Sequence, residues 1–339
     1  MTDATNQPGP VPSSLAVQSA RTPGKIGIGL IAPAGFASDE AALERGLTRL
    51  AAMGCQVSLH TDQSERCERF GATDAQRLAH LHAVMRDPAV DIVLSTRGGY
   101  GISRLLPFID WQLVAESGKL LVGHSDLTAF QMGLLAHTGS ISFAGPMLTD
   151  DFGRAQLSDF TMQHFWQCLG TGRTMLHGAG GAPIAAPVKG VLWGGNLAMM
   201  THLIGTPYLP KIVGGILFLE DINEHPFRVE RMLLQLLHAG VLAQQSAIIL
   251  GDFSGGRLVD FDNGYSMDSV ITLLRSRIDI PIVTGLQFGH IADKVTLPVG
   301  ANACLRSSAG GWELEISGYP FLNRPLPAEH VKGADTRAS

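Results

Sequence analysis

The stretch best suited to chemistry is residues 120–130, in which Ser125 follows a short apolar run and Gly123. A sequence favourable for a helix begins at Thr128. A strand, a tight turn and a helix in that order form a nucleophile elbow, which presents a serine hydroxyl and leaves the next backbone N–H free for an oxyanion. The position also suits a helix N-cap. Leu127 replaces the second glycine of G-x-S-x-G, so an ordinary α/β-hydrolase is not indicated.

Two later residues could activate this serine. A nucleophilic serine needs a base within reach and a third group that orients the base. His290 is the candidate base, because it lies in a glycine-containing loop after an apolar strand. Glu220 is the candidate orienting acid, because it directly follows the apolar run 216–219, and open α/β sheets place their sites at strand carboxyl ends. A structural histidine and a surface acid are the plainer alternatives.

A glycine-rich turn, RGGYG at residues 97–101, follows another predicted strand. It matches neither G-x-G-x-x-G nor the G-K-[ST] ending of a phosphate-binding loop, so it supports nucleotide binding only weakly. Adjacent glycines expose backbone N–H groups, and one of them could form an oxyanion hole together with the N–H of Asp126. A plain turn is the alternative.

The other histidines indicate no metal, and only one of them is a further candidate for the site. His124 adjoins Ser125, but neighbours at a tight turn generally point apart. His80 and His82 do not share a helix face, which disfavours a metal pair. His225 is a secondary site candidate. We predict no metal and no other cofactor.

Alternating strands and helices must position these residues. In the first half we predict strands at residues 26–32, 56–59, 90–96, before Ser125 and at 140–144, with Ser38 capping the first helix. This order predicts a doubly wound, mostly parallel sheet. In the second half, strands at 188–192, 215–219, 247–250, 280–284, 301–305 and 312–316 predict a smaller mixed α/β domain.

Composition changes divide the chain into five parts. We predict a disordered tail at 1–24, an N-terminal α/β domain at 25–169, an interdomain linker at 170–187, a C-terminal α/β domain at 188–322 and a second tail at 323–339.

Composition also limits the partners and the compartment. The 339 residues carry a net charge of −5 without a basic cluster, which argues against nucleic acid or an anionic membrane surface. The four cysteines are scattered and form no C-x-x-C pair, so they indicate reduced thiols. No signal peptide or transmembrane run is apparent, and we expect a cytoplasmic protein.

Together, several stretches resemble the LD-carboxypeptidases, the serine peptidase family that includes the microcin C7 immunity peptidase. They are RGGYG at 97–101 with RLL at 104–106, GHSDLT at 123–128, LEDI at 219–222 with Glu224, GH at 289–290 and LPVG at 297–300. WGGNL at 193–197 and GTP at 205–207 also fit. Each motif is weak alone, but their order and spacing are specific.

The resemblance implies a catalytic triad of Ser125, Glu220 and His290. It implies backbone oxyanion donors at Asp126 and in the glycine turn, where Gly99 is our first choice. It also implies an amidotransferase-like N-terminal domain, a site in the cleft between the domains and a homodimer. His124 departs from the family, in which an aromatic residue such as phenylalanine is frequent here.

The implied substrate is a murein tetrapeptide that loses its terminal D-alanine during cell-wall recycling. Arg97, Arg228 and Arg231 are candidates to bind its free carboxylate, and Glu224 to meet a substrate ammonium. Tyr100, beside the glycine turn, completes the predicted binding residues. Two alternatives stay open: a peptidase that inactivates a peptidyl-nucleotide antibiotic, and a noncatalytic peptide-binding module on the same scaffold.

Overall fold

The computed structural model describes residues 22–327. Of the predicted tails, residues 1–21 and 328–339 lie outside the described part. The first half of the described chain alternates strands with helices. These elements are β1 (Gly27–Ile31), α1 (Glu40–Ala52), β2 (Gln56–Leu59), α2 (Asp74–Arg86), β3 (Ile92–Ser95), α3 (Trp111–Glu116), β4 (Leu120–Gly123), α4 (Leu127–Thr138), β5 (Ser142–Ala144) and α5 (Asp159–Gly170).

The second half contains three α-helices and more strands within the described residues. These elements are β6 (Arg173–Gly178), β7 (Val188–Asn196), α6 (Leu197–His202), β8 (Ile216–Glu220), α7 (Pro226–His238), β9 (Ala247–Leu250), α8 (Met267–Arg277), β10 (Ile282–Val283), β11 (Leu297–Val299), β12 (Asn302–Ser308) and β13 (Gly311–Ser317). None of the helices among residues 22–327 is long and apolar enough to cross a membrane.

The first sheet has the strand order β2-β1-β3-β4-β5-β11. Strands β1 to β5 are parallel, and β11 is antiparallel to β5. This confirms the predicted doubly wound, mostly parallel sheet. Because β3 and β4 are neighbours and point the same way, the glycine turn after β3 and the elbow after β4 emerge at one edge.

The second sheet has the order β10-β9-β8-β7-β12-β13-β6 and is mixed, as predicted. Strands β7 to β10 are parallel, whereas β12, β13 and β6 pair in antiparallel fashion. The register places Asn196, the last residue of β7, beside Glu220, the last residue of β8. Two polar side chains therefore end adjacent parallel strands.

Two strands, β6 and β11, are not predicted from the sequence. β6 lies inside the segment predicted as a linker, 170–187, and its alternation of buried and exposed residues follows its pairing with β13. β11 returns from the second half to the first sheet, where Leu297 pairs with Ala144. The two halves are thus joined by shared β-structure as well as by chain connection.

Helix α4, which begins after the elbow, lies deep in the molecule. Every residue of α4 up to Leu135 is buried, as expected for a helix that is apolar on nearly all sides. It contacts α3 on one side and α6 and β7 of the second half on the other. The Thr128 hydroxyl accepts the backbone N–H of Asn196 at 3.1 Å. The elbow helix is therefore a shared core element of both halves.

Polar side chains cap the N-termini of α1 and α2. Thr73 caps α2 together with Gln76 in a capping box. The cap of α1 is Asp39, whose carboxylate accepts the N–H of Ala42 at 2.8 Å. The expectation that Ser38 caps this helix is wrong by one residue.

Candidate active site

Ser125 occupies a sharp turn between β4 and α4. Its φ of +63° is unusual for a residue other than glycine, and such backbone costs about 1–3 kcal/mol. Gly123, two residues earlier, has a φ of +155°. Ser125 is half-buried, whereas its neighbours His124 and Asp126 are buried. A strained, accessible serine at a strand-to-helix turn is the geometry of a nucleophile elbow.

The glycine turn lies against this serine. A Cβ at Gly98 would lie 2.8 Å from Ser125 Cβ and 2.9 Å from Ser125 Oγ, so only glycine permits this approach. The neighbouring Gly99 is exposed and has a φ of +110°. The carbonyl of Gly98 accepts the N–H of Gly35 at 3.2 Å, which fixes the orientation of the peptide between the two glycines.

The carboxylate of Asp126 ties the elbow to the glycine turn. Asp126 Oδ2 accepts the N–H of Ile102 at 2.9 Å. Burial raises the pKa of Asp126, and this hydrogen bond partly opposes the shift. Arg77, which is 1% exposed, donates to the carbonyl of Gly101 at 3.1 Å. Buried polar contacts on both sides therefore hold the turn in place.

Glu220 and His290 form a hydrogen-bonded pair. Glu220 Oε2 lies 2.9 Å from His290 Nδ1, and the Glu220 side chain is 0% exposed. Since an ionised carboxylate can only accept, Nδ1 carries the proton and Nε2 presents a lone pair. Burial lowers the pKa of His290, but the hydrogen bond and charge of Glu220 outweigh burial, and the net shift is upward. The contact with Glu220 thus fixes the orientation of the imidazole ring.

Asn196 holds the other oxygen of Glu220, a contact that sequence analysis did not identify. Its Nδ2 lies 3.2 Å from Glu220 Oε1 and 3.1 Å from Asp221 Oδ1. Asp221 also accepts the N–H of Ala198 at 2.9 Å, and burial raises its pKa to about 6. The available signal was Asn196 in WGGNL, a polar side chain shortly after the strand predicted at 188–192.

His124 packs edge-on against His290, with ring centroids 5.0 Å apart. Its Nδ1 lies 2.9 Å from the carbonyl of Gly145. The side chain is almost wholly buried, and burial, aided by Lys294, lowers its pKa well below the usual value. The residue before Ser125 therefore contacts the ring that Glu220 orients, which brings the elbow and the Glu220–His290 pair together.

The predicted substrate-binding residues have protein partners of their own. Arg97 Nη1 donates to the carbonyl of Phe36 at 3.2 Å and lies 3.4 Å from Ser38 Oγ. Glu224 and Arg228 are bonded to each other as an i,i+4 pair. Arg97 thus lies beside the segment before α1. Glu224 and Arg228 form an ion pair at the start of α7.

The remaining candidates lie at several places. The ring centroids of Tyr100 and Phe70 lie 6.0 Å apart. The guanidinium of Arg69 lies 5.8 Å from the centroid of the Tyr100 ring. Arg231 covers the exposed ring of Phe227 on α7. The ring of His225 caps α7 and its Nε2 lies 3.0 Å from Asp262 Oδ2, so it serves as a helix cap.

A strained serine elbow in the first half and a buried Glu220–His290 pair in the second fit a two-part serine-type hydrolase. Family models described as the LD-carboxypeptidase N-terminal domain and the LD-carboxypeptidase C-terminal domain match residues 28–145 and 189–305. The chain therefore belongs to the LD-carboxypeptidase family, and it is a serine-type carboxypeptidase. The resemblance found in the sequence is confirmed.

Individual relatives agree with this assignment. The crystal structure of muramoyltetrapeptide carboxypeptidase from Oxalobacter formigenes is 48% identical, with a TM-score of 0.83, and the match covers 87% of this chain and 99% of that one. A Bacillus subtilis protein named "Probable murein peptide carboxypeptidase" is 32% identical over 83% of this chain and 89% of its own length. The microcin C7 self-immunity protein MccF of Escherichia coli is 28% identical over 69% of this chain and 76% of its own.

Proposed function

We propose that this carboxypeptidase removes the terminal D-alanine of a murein tetrapeptide, using Ser125 as nucleophile, His290 as base and Glu220 as the group that orients the base. The observation that carries the proposal is the 2.9 Å contact between Glu220 and His290 beside a strained serine elbow. A serine, a histidine and a buried carboxylate in these roles are the requirements for acyl transfer. The names of the relatives support the substrate class.

The proposed reaction has two halves. The hydroxyl of Ser125 attacks the carbonyl of the L-centre, and His290 Nε2 takes its proton. The tetrahedral intermediate breaks the C–N bond, and the same proton passes to the amine of the departing D-alanine. A water molecule then attacks the acyl-enzyme, again losing its proton to His290, and the serine leaves with that proton.

For the oxyanion we propose the backbone N–H groups of Asp126 and Gly99. Since the carbonyl and N–H of a trans peptide point in opposite directions, the bond from Gly35 to the Gly98 carbonyl turns the N–H of Gly99 away from Gly35. The contact of Gly98 with Ser125 places this peptide next to the nucleophile. Each such donor is worth about 10²–10³ in rate.

For substrate binding we propose Arg97, Tyr100, Glu224 and Arg228. Arg97 directly precedes the glycine pair that contacts Ser125, and it carries the positive charge that binding of a carboxylate requires. Tyr100 is 42% exposed beside the turn and offers a surface for the peptide. Because Glu224 and Arg228 neutralise each other, we propose that a zwitterionic part of the substrate exchanges with this pair.

We further propose a cytoplasmic homodimer that acts in cell-wall recycling. The support is the family resemblance, the scattered cysteines and the weakly acidic composition. A single species of twice the chain mass in light scattering is the expected result for the homodimer.

An alternative function keeps the chemistry and changes the substrate. The relative MccF is named as a microcin C7 self-immunity protein. A peptidyl-nucleotide is therefore the second substrate class to test, whereas a noncatalytic module would have no use for a buried carboxylate that orients a histidine.

The test compares three peptides with wild-type protein by mass spectrometry. They are a murein tetrapeptide that ends in L-diaminopimelyl-D-alanine, the same peptide with terminal L-alanine, and a peptidyl-nucleotide. We expect D-alanine release from the first alone. Cleavage of only the peptidyl-nucleotide would favour the alternative, and cleavage of none would contradict both.

A further inference from the structure

A buried ion pair outside the predicted triad joins the two halves of the chain. Lys294 Nζ lies 2.7 Å from Asp151 Oδ1, and each side chain is 1% exposed. Asp151 belongs to a π-helical turn, Leu148–Phe152, between β5 and α5, whereas Lys294 follows His290 by four residues. The other oxygen of Asp151 accepts the N–H of Met147 at 2.7 Å. A buried pair of this kind is costly to break from one side.

Lys294 and His290 belong to one loop, residues 289–296, which we call the His290 loop. This loop has further contacts with the first half. The N–H of Lys294 donates to Thr161 Oγ1 at 2.9 Å, and the Thr161 hydroxyl donates to the carbonyl of Ala292 at 2.9 Å. The hydroxyl of Ser158, the cap of α5, bonds the carboxylate of Asp293 at 2.5 Å. Three consecutive loop residues are thus bound to the turn and helix that follow β5.

Lys294 also acts on His290 through its charge. The charged or titratable groups packed around His290 and its neighbour Gly289 are Glu220, Asp221, His124, Asp252 and Lys294. Among these groups, the carboxylates of Glu220 and Asp221 raise the pKa of His290, and Lys294 lowers it. Lys294 therefore opposes the charge of the triad carboxylate.

We propose that the Asp151–Lys294 ion pair is a positioning element, which holds the His290 loop against the first half. The role of His290 as base belongs to the proposed function, and the positioning role depends on it. Because Asp151 lies in one half of the chain and Glu220 in the other, His290 is held from both sides. Neither Asp151 nor Lys294 needs to touch the substrate.

A double variant separates this role from simple folding. Lys294→Met alone leaves Asp151 buried without its partner, so loss of folding would be uninformative. Asp151→Asn combined with Lys294→Met leaves no unpaired charge, and neutral replacements of buried ion pairs are often tolerated. Lys211→Met, at an exposed lysine, is the matched control.

Two measurements test the double variant. Titration of the His290 ring by NMR should show a higher pKa than in wild type, because the Lys294 charge that lowers this pKa is lost, whereas the Asp151 charge lost with it is not among the groups that shift it. The acid limb of the kcat/KM profile for D-alanine release should move to higher pH, and kcat should fall about 10-fold to 10²-fold through misplacement of the base. Lys211→Met should match wild type in both.

The outcomes are distinct from those of the proposed function. If the folded double variant titrates His290 at the wild-type pKa and keeps the wild-type kcat, the positioning role is wrong. If wild type releases no D-alanine, the proposed function fails, while the NMR titration still decides whether Lys294 controls His290.

Discussion

At the scale of single residues, the site combines a strained serine with a doubly held carboxylate. One carboxylate oxygen of Glu220 is hydrogen-bonded to His290 and the other to Asn196, so the carboxylate has little freedom to rotate. This fixes the imidazole in the tautomer with its proton on Nδ1. The proposed chemistry therefore depends on the charge of Glu220 as well as on its shape.

Glu220→Gln tests this dependence. Glutamine has a similar shape but can present its amide N–H₂ to Nδ1, which favours the wrong tautomer, and the charge that raises the pKa of His290 is lost. We expect kcat to fall about 10³-fold to 10⁴-fold and the NMR-measured pKa of His290 to fall. An unchanged pKa in a folded variant would contradict the role of the pair.

Gly98→Ala tests the contact between the glycine turn and the nucleophile. The new methyl group would lie 2.9 Å from Ser125 Oγ, so either the serine or the turn must move. We expect kcat to fall about 10²-fold, because small displacements of reacting groups have effects of this size. Gly310→Ala, where the nearest atom is 3.9 Å away, is the matched control and should keep wild-type kcat. Equal activity of the two variants would refute the close approach.

The residues of the proposed site could be selected from the sequence, but the residues that contact them could not. Ser125 was visible because a strand, a turn and a helix are local in sequence. Asn196 and Lys294 act through contacts with residues 24 and 143 positions away. No local pattern distinguishes them from ordinary polar residues, so only the fold reveals these contacts.

At the scale of elements, α4 couples the elbow to the second sheet. Its apolar sequence predicts burial, but not the partner that covers it. The structure places it between α3 and α6, with the Thr128 hydroxyl bonded to the end of β7. Movement of α4 would therefore displace Ser125 and Asn196 together.

Thr128→Val measures this coupling. Valine keeps the shape but leaves the buried N–H of Asn196 without its acceptor, which costs about 1–3 kcal/mol. We expect the free energy of unfolding in urea to fall by about that amount. In the control Thr201→Val, the hydroxyl that is lost donates only to a carbonyl of its own helix at 2.8 Å, and stability should change little. Similar losses in both variants would argue against the coupling.

The sequence predicted most strands but missed those defined by distant partners. β2 and β9 have the predicted bounds, because each is a short apolar or alternating run between turn residues. β6 and β11 depend on pairing with β13 and β5, which local composition does not encode. The division into domains at 25–169 and 188–322 stays a prediction.

At the scale of the whole molecule, buried titratable groups link stability to pH. His124 is buried and its pKa is well below the usual value, so the folded protein keeps it neutral while the unfolded chain protonates it near pH 6.5. The stability that depends on neutral His124 is present above that pH. It is lost as the pH falls below 6.5, by up to about 1.4 kcal/mol per pH unit, until the folded-state pKa is reached.

His124→Phe should therefore make the protein less sensitive to acid. As the pH is lowered from 7 to 5, we expect the unfolding free energy of the wild type to fall more than that of the variant. Loss of the contact with the Gly145 carbonyl lowers the variant's stability by a similar amount at each pH. Parallel pH profiles of unfolding by urea would show that His124 does not bind a proton on unfolding.

The most direct measurement is the rate of D-alanine release from the murein tetrapeptide by wild type, Ser125→Ala and Ser276→Ala. Ser276 is an exposed serine on α8 and serves as the control. We predict that Ser125→Ala, with an unchanged circular dichroism spectrum, loses about 10⁴-fold or more of kcat, whereas Ser276→Ala keeps the wild-type rate. A folded Ser125→Ala variant that turns over at a rate near that of wild type would contradict the assignment of Ser125 as the nucleophile.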